Sequence, residues 1–198
     1  MSITMKTPLP TIDQWVLTAE GLPLELQLAL SHNGEMEIKG KDNNPNIMKW
    51  AKELGILGWY PNDDIAWCGV FKGINALRAG WIKFEASVAS ALWWLKWGKK
   101  IAVEDACVGD TMIYARYNSK GEQIGGHVAY LLGHVAGNKV HRIFGGNQSD
   151  KVCPIWKTAT TLVGVRRAIW KSSQPKGVVR HEYPASQVPK TIIAASEA

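Results

Sequence analysis

The hydrophobic pattern of this chain changes its period part-way along, and that change most constrains the fold. Up to about residue 97, apolar residues recur at helical spacing, whereas from Thr111 onward they form short alternating or apolar runs. The predicted strands are 111–117, 128–135, 140–144 and 162–169. Helices first and strands second predict an α+β domain, in which N-terminal helices pack on a C-terminal antiparallel sheet.

Capping residues mark several helix ends in the first half. Thr11 can open a short helix through Ala19, and residues 24–31 are partly helical in pattern. Asn44-Pro45 places an N-cap before a proline, which predicts a helix that stops at Gly55. Residues 84–97 are predicted to form another helix, ended by Gly98.

Cys68 is the most informative single residue. A helix is predicted over the segment that follows Asp64, with Val70, Ile74 and Leu77 on one apolar face and a stop near Ala79-Gly80. Asp64 is the expected cap, and Cys68 would then lie in or near the first turn. Unpaired N–H groups there favour a thiolate, the nucleophilic form of cysteine. The alternative is a buried cysteine that packs as a small hydrophobe.

A hairpin brings the next two candidates together. Residues 128–132 read as a strand, Gly137-Asn138 as a tight turn and residues 140–144 as the returning strand. Paired residue numbers then add to about 274 or 275, so that His127 lies across from Asn147 or Gln148. Cys, His and Asn in this order match a nucleophile, a general base and a residue that orients the base. Asn147 as a simple turn residue remains the alternative.

These stretches resemble the CHAP and NlpC-type cysteine peptidases and amidases, most of all a compact group found in phage lysins and related bacterial proteins. The resemblance runs from about residue 10 to about residue 170 and keeps the order of the motifs. The matching segments are 37–40, 44–47, 62–69, 94–98, 109–111, 126–128 and 145–148. Many CHAP domains carry a glutamate two positions before the asparagine, where this chain has Gly145.

The resemblance implies a papain-like core and a peptidoglycan hydrolase, with Cys68 as nucleophile, His127 as base and Asn147 as orienting residue. Peptidoglycan, through its stem peptide or its muramyl–peptide amide, is the implied partner, and neither cofactor nor metal is expected. Asp64, Trp67 and Gly126 are candidates to line the substrate cleft. Of the ten tryptophans, most are expected in the core, and either Trp67 or Trp59 could stack on substrate.

Length, cysteine content and net charge limit the possible domain organisation and partners. A chain of 198 residues predicts one catalytic domain, 1–170, followed by a tail or docked extension, 171–198. Three cysteines make no disulfide framework, and Cys107 and Cys153 are expected to be structural. A net charge of +6 favours anionic envelope polymers, while the absence of any nucleic-acid motif argues against nucleic acid.

Other functions are possible alternatives to this hypothesis. His127, His134 and His141 recur every seven residues, but a hairpin sends such a series to alternating faces, which disfavours a metal site. A lysozyme-like reading of Glu20 fails because Ala29 stands where a second carboxylate is needed. A non-catalytic wall-binding or phage-structural protein on the same fold, or a secreted antibacterial amidase effector, remains open.

The N-terminal segment, residues 1–15, lacks the apolar core of a secretory signal, and no run approaches the ~20 apolar residues of a membrane span. The expected protein is a monomer made in the cytoplasm. It would reach the cell wall through a holin or an injection apparatus.

Overall fold

Helices precede the sheet, as the change of period predicts. Within residues 3–135 and 137–192, which the computed structural model describes, there are four α-helices. They are α1 (Trp15–Thr18), α2 (Leu24–Leu30), α3 (Pro45–Glu53) and α4 (Cys68–Arg78). No helix in this part of the chain is long and apolar enough to cross a membrane.

The α3 helix begins and ends as its sequence predicts. Asn44 Oδ1 accepts hydrogen bonds from the backbone N–H groups of Asn46 (2.8 Å) and Ile47 (3.4 Å), and Pro45 occupies the first turn. Gly55 follows the helix with φ 66°, a left-handed conformation that glycine adopts without steric cost.

The helix predicted over residues 84–97 is wrong. Two 3₁₀ segments, Ala86–Ala89 and Ala91–Lys96, are separated by an extended Ser90. This segment lies directly on α4: a Cβ at Gly69 would come within 1.9 Å of the Ala89 carbonyl oxygen. The buried Trp94 indole donates to the Val88 carbonyl (3.0 Å) across the break. Packing against α4 has therefore overridden the helical pattern.

The sheet is antiparallel apart from one short strand. Its members are β1 (Lys99–Ile101), β2 (Thr111–Tyr117), β3 (Gln123–Val135), β4 (Val140–Gly145), β5 (Cys153–Thr158), β6 (Leu162–Arg167) and β7 (Glu182–Tyr183). The spatial order is β1-β6-β2-β3-β4-β5, and β7 pairs in parallel with β3. The sequence pattern missed β1, β5 and β7. Pro154 obscures β5, which lies at the end of the strand order where a proline is tolerated.

The two faces of the sheet carry separate cores. Val128, Tyr130 and Leu132 of β3 belong to the large cluster shared with the helices. Ala129 and Leu131, which alternate with them, belong to a smaller cluster on the other face. The α4 helix therefore packs on one face of β3.

Residues 171–192 dock on this core through β7 and through a hydrogen bond from Tyr183 to the buried Asp13–Arg142 ion pair. Asp13, on the 3₁₀ segment Thr11–Asp13, accepts from Arg142 Nε (3.0 Å) and from the Tyr183 hydroxyl (2.9 Å). His181 stacks on Trp15 with ring centroids 3.8 Å apart. The N-terminal segment, β4 and the C-terminal extension thus share one polar anchor. The rest of the predicted tail, 193–198, lies outside the described residues.

Candidate functional site

Cys68 is the first residue of α4. Its N-cap is Trp67, which supplies no side-chain hydrogen bond, and the expectation that Asp64 caps this helix is wrong. Asp64 is exposed and lies a full turn too early along the chain to reach the first helical N–H groups. The neighbouring Asp63 is the structural carboxylate: it is buried and accepts from the backbone N–H groups of Ile38 (3.0 Å) and Asn44 (2.7 Å).

The Cys68 thiol is only 6% exposed. Burial raises its pKa, because a thiolate loses its hydration there, while the backbone N–H groups of Val128 and Gly69 lower the pKa in part. Burial outweighs the helix start, so the sequence-based expectation of a favoured thiolate is wrong in direction. The resting group is a neutral thiol.

His127 lies on β3, directly opposite Tyr114 of β2, and its imidazole contacts Gln148. The distance from His127 Nε2 to Gln148 Oε1 is 3.0 Å. The amide orientation is settled at its other end, where Gln148 Nε2 donates to the Cys153 carbonyl oxygen. Because Oε1 can only accept, Nε2 of the imidazole carries the proton and Nδ1 is the free base.

The contact predicted between Asn147 and His127 is absent, although the hairpin register is right. Tyr130 pairs with Phe144, as predicted, but β4 ends at Gly145 and the chain leaves the ladder before Asn147. Asn147 has φ 55°, and with its amide oxygen toward Trp67 it accepts from the backbone N–H of that residue (3.1 Å) and shares the indole Nε1–H (3.2 Å) with Glu37. The left-handed turn therefore delivers Gln148, rather than Asn147, to the imidazole.

The loop that carries Gln148 is strained. Asn147, Ser149 and Asp150 all have left-handed φ values of 55–62°. Gly146 must be glycine, because a Cβ there would lie 2.6 Å from Phe71 Cβ and 2.6 Å from Trp67 Cζ3. Strained residues of this kind cluster at functional sites, where the surroundings hold them in place.

Cys68 and His127 approach β3 from different sides. The sulfur comes from the helix side to the N–H of Val128, whereas the alternation of side chains places His127 on the face of Ala129. No hydrogen bond joins the sulfur to the imidazole among the residues described. The Val128 N–H that lowers the thiol pKa belongs to the residue that follows His127 in the chain.

The imidazole is poised as a neutral base. The pKa of His127 is lowered to about 4, chiefly by burial. The cations Lys157 and Arg116 also lower this pKa, whereas the hydrogen bond to Gln148 raises it. Arg116 also acts on Cys68, where its charge lowers the thiol pKa. This guanidinium is therefore close to both members of the pair.

The residues expected to contact substrate lie in different environments. Trp67 is fully buried, with Nε1 donating to Glu37 (3.0 Å), so it cannot stack on substrate. Gly126 has a packing role, since a Cβ there would lie 2.9 Å from the Tyr114 carbonyl oxygen. Asp64 is exposed, and so is Trp59, with an exposed fraction of 54%.

An open cleft lies beside the strained loop. Its volume is about 400 Å³, and it is lined by Met36, Glu37, Ile38, Lys39, Ser149 and Asp150. Glu37 connects this cleft to the indole of Trp67, the residue before the thiol. Glu37 thus links the cleft to the residue that precedes α4.

The remaining histidines of the seven-residue series lie in the core. His134 and His141 are fully buried, with ring centroids 5.4 Å apart, and Tyr114 bonds the Nδ1 of His141 at 3.0 Å. Across residues 3–135 and 137–192, no three or more His, Cys, Asp or Glu side chains are grouped to hold a metal ion.

Gln148, which the hairpin register offered beside Asn147, is the partner of His127, whereas the sequence predicted the orienting role for Asn147 instead. The available signal was the pair Gly145-Gly146, which favours a departure from strand geometry just before the candidate. Comparison of the chain with protein-family models and with curated proteins found no match.

Proposed function

We propose that this protein is a thiol hydrolase that cleaves an amide bond of bacterial peptidoglycan, of the kind found in phage lysins. The observations that carry the proposal are a cysteine at the first residue of α4, which packs on the sheet, and a β3 histidine whose tautomer Gln148 fixes. A nucleophile helix packed on an antiparallel sheet that carries the base supports a papain-like core of NlpC or CHAP type.

In the proposed reaction, His127 Nδ1 takes the proton of the Cys68 thiol as the sulfur attacks the amide carbonyl carbon. The imidazolium keeps its Nε2–H bond to Gln148. The backbone N–H of Cys68, at the unpaired start of α4, is the expected donor to the oxyanion. The imidazolium then protonates the leaving amine, and water, activated by His127, releases the acyl group from sulfur.

The resting state fits this order of events. Burial raises the thiol pKa and lowers the imidazole pKa, so that the pair is neutral before substrate binds. Proton transfer then accompanies attack and does not precede it. Catalytic hydrogen bonds are often long before substrate binds and tighten in the complex.

The test is digestion of purified peptidoglycan, with mass spectrometry of the products to identify the bond cleaved. Cys68→Ala and Cys68→Ser should abolish release of fragments with an unchanged circular dichroism spectrum. Cys107→Ser is the matched control, because Cys107 lies on the loop before β2 and contacts the Asp105 carbonyl. Full activity of Cys68→Ala would exclude the thiol mechanism.

A non-catalytic wall-binding protein on the same fold is the second candidate. The missing sulfur–imidazole hydrogen bond favours it, because a binding protein has no need of that contact. The same digestion separates the two: binding of the parent protein to peptidoglycan without any product would support this function and contradict hydrolysis.

A further inference from the structure

Two cations lie beside His127 without a carboxylate partner. Arg116 follows Tyr114 by two residues on β2, so both project from the same face, and Tyr114 is directly opposite His127. The Arg116 side chain is therefore a diagonal neighbour of the imidazole, a separation of about 7–8 Å between paired strands. Lys157, on β5, places Nζ 5.0 Å from the centroid of the Tyr114 ring.

Two other arginines of the sheet have carboxylate partners. Arg142 and Arg167 each bind a buried carboxylate, Asp13 and Asp110 respectively. Neither Arg116 nor Lys157 forms an ion pair in the part of the chain that the structure describes. Two like charges near the same imidazole repel each other, and a bound anion would relieve that repulsion.

Arg116 and Lys157 differ in exposure. Arg116 is exposed and available to a ligand, whereas Lys157 is half-buried over the Tyr114 ring. Burial lowers the pKa of Lys157, and the charge of Arg116 lowers it further. Among residues 3–135 and 137–192 no carboxylate forms an ion pair with Lys157, so an anionic ligand could compensate this cost.

We infer that Arg116 and Lys157 form a subsite for a carboxylate of the substrate, next to the amide that Cys68 attacks. The guanidinium offers two parallel N–H groups to such a group, and the ammonium supplies a second charge. The inference rests on the proposed function, because it assigns the substrate of that site. It makes the substrate an anionic peptide whose carboxylate lies on the His127 side of the scissile bond.

The experiment measures binding without turnover. The probe is a purified disaccharide–tetrapeptide wall fragment with free carboxylates, titrated by calorimetry into the Cys68→Ala protein. Arg116→Met and Lys157→Met in that background should each raise Kd about tenfold. Lys100→Met is the matched control, since Lys100 is exposed on the distant edge strand β1, and its Kd should not change.

A second probe identifies the group that is bound. When the carboxylates of the fragment are amidated, the Cys68→Ala protein should bind the fragment about tenfold more weakly. Arg116→Met in that background should then cause no further loss of affinity. Arg116→Lys should retain part of the affinity for the free carboxylate, because it keeps the charge but not the paired donors.

The outcomes separate the two proposals. An unchanged Kd in both methionine variants, together with cleavage of peptidoglycan by the enzyme with Cys68, would overturn the subsite and leave the hydrolase standing. Equal losses on free and amidated fragments would also overturn it, because the two residues would then act on the fold. If the protein neither binds the fragment nor releases products from peptidoglycan, both proposals fail.

Discussion

Gln148 fixes the imidazole of His127 because both ends of its amide are occupied. Its oxygen accepts from His127 and its nitrogen donates to Cys153, so a rotation of the amide would break both bonds. Cys153 also donates its thiol to the Gln148 carbonyl at 3.2 Å. This cysteine is thus a support of the site, a role different from that of Cys107.

Replacing Gln148 by alanine should lower kcat by roughly tenfold to a hundredfold, because the imidazole loses the partner that sets its tautomer. His127→Ala should cost more, and the double variant should cost no more than His127→Ala, since the two residues act as one unit. The measurement is turnover of a wall fragment under saturating conditions.

Asn147 is the comparison for Gln148. Asn147→Gly keeps the left-handed backbone and should leave kcat within a few-fold, while Asn147→Ala adds a strain of about 1–2 kcal/mol to the folded state. A larger loss of kcat from Asn147→Gly than from Gln148→Ala would show that Asn147 is the true orienting residue.

The pH dependence of catalysis is expected to follow the pKa of His127. Since the pKa of His127 is about 4, its Nδ1 remains a free base well below neutral pH. The value of kcat/KM should therefore stay near its plateau at pH 5.5 and fall only as pH approaches 4, with circular dichroism recorded at each point. An acid limb near pH 6.5, the ordinary histidine value, would contradict a buried neutral base.

At the scale of elements, α4 serves both the site and the core. One turn after Cys68, Lys72 is buried and pairs with Glu25 of α2. The ammonium lies 4.1 Å from the Trp94 ring centroid and 4.8 Å from that of Tyr130, whose hydroxyl donates to Glu25 at 2.9 Å. This cluster ties α4 to α2, to β3 and to the 3₁₀ segment Ala91–Lys96.

Lys72→Ala should lower the free energy of unfolding by about 3–5 kcal/mol, because it leaves the Glu25 charge buried without its partner. Lys72→Met combined with Glu25→Gln should cost much less, since it removes both charges and keeps most of the volume. Urea titrations followed by tryptophan fluorescence measure both. A Lys72→Ala loss under 1 kcal/mol would mean that water reaches the cluster.

At the scale of the whole molecule, buried histidines make the fold sensitive to acid. All five histidines have lowered pKa values, chiefly through burial, and those of His32, His127 and His141 lie at about 4. Above pH 6.5 both folded and unfolded states are neutral at these groups. Between pH 6.5 and 4 the unfolded chain binds protons that the folded one does not, so stability falls with pH.

The free energy of unfolding should thus drop between pH 6.5 and 4, by on the order of 3 kcal/mol for a fully buried group such as His141. Asp110, whose pKa burial raises, acts in the opposite sense. Urea titrations at pH 7, 5.5 and 4.5 measure how steeply the free energy of unfolding changes with pH. His141→Leu should make this change less steep, whether or not the substitution alters stability at pH 7. An identical slope in that variant would remove His141 from the explanation.

The sequence by itself determined the α+β architecture, the limits of α3 and the register of the β3–β4 hairpin. Each follows from local rules: capping residues, apolar period and turn chemistry act over a few neighbouring residues. The α3 cap at Asn44 and the pairing of Tyr130 with Phe144 needed no knowledge of distant packing.

Only the tertiary structure decided which side chain meets His127, how easily Cys68 ionises and whether residues 84–97 are helical. The identity of the imidazole partner depends on a left-handed turn that Gly146 permits by its close approach to Phe71 and Trp67. The thiol pKa depends on burial, which the helix start could not reveal. These properties arise from contacts between residues far apart in the chain, and hydrophobic period and turn chemistry carry no information about such contacts.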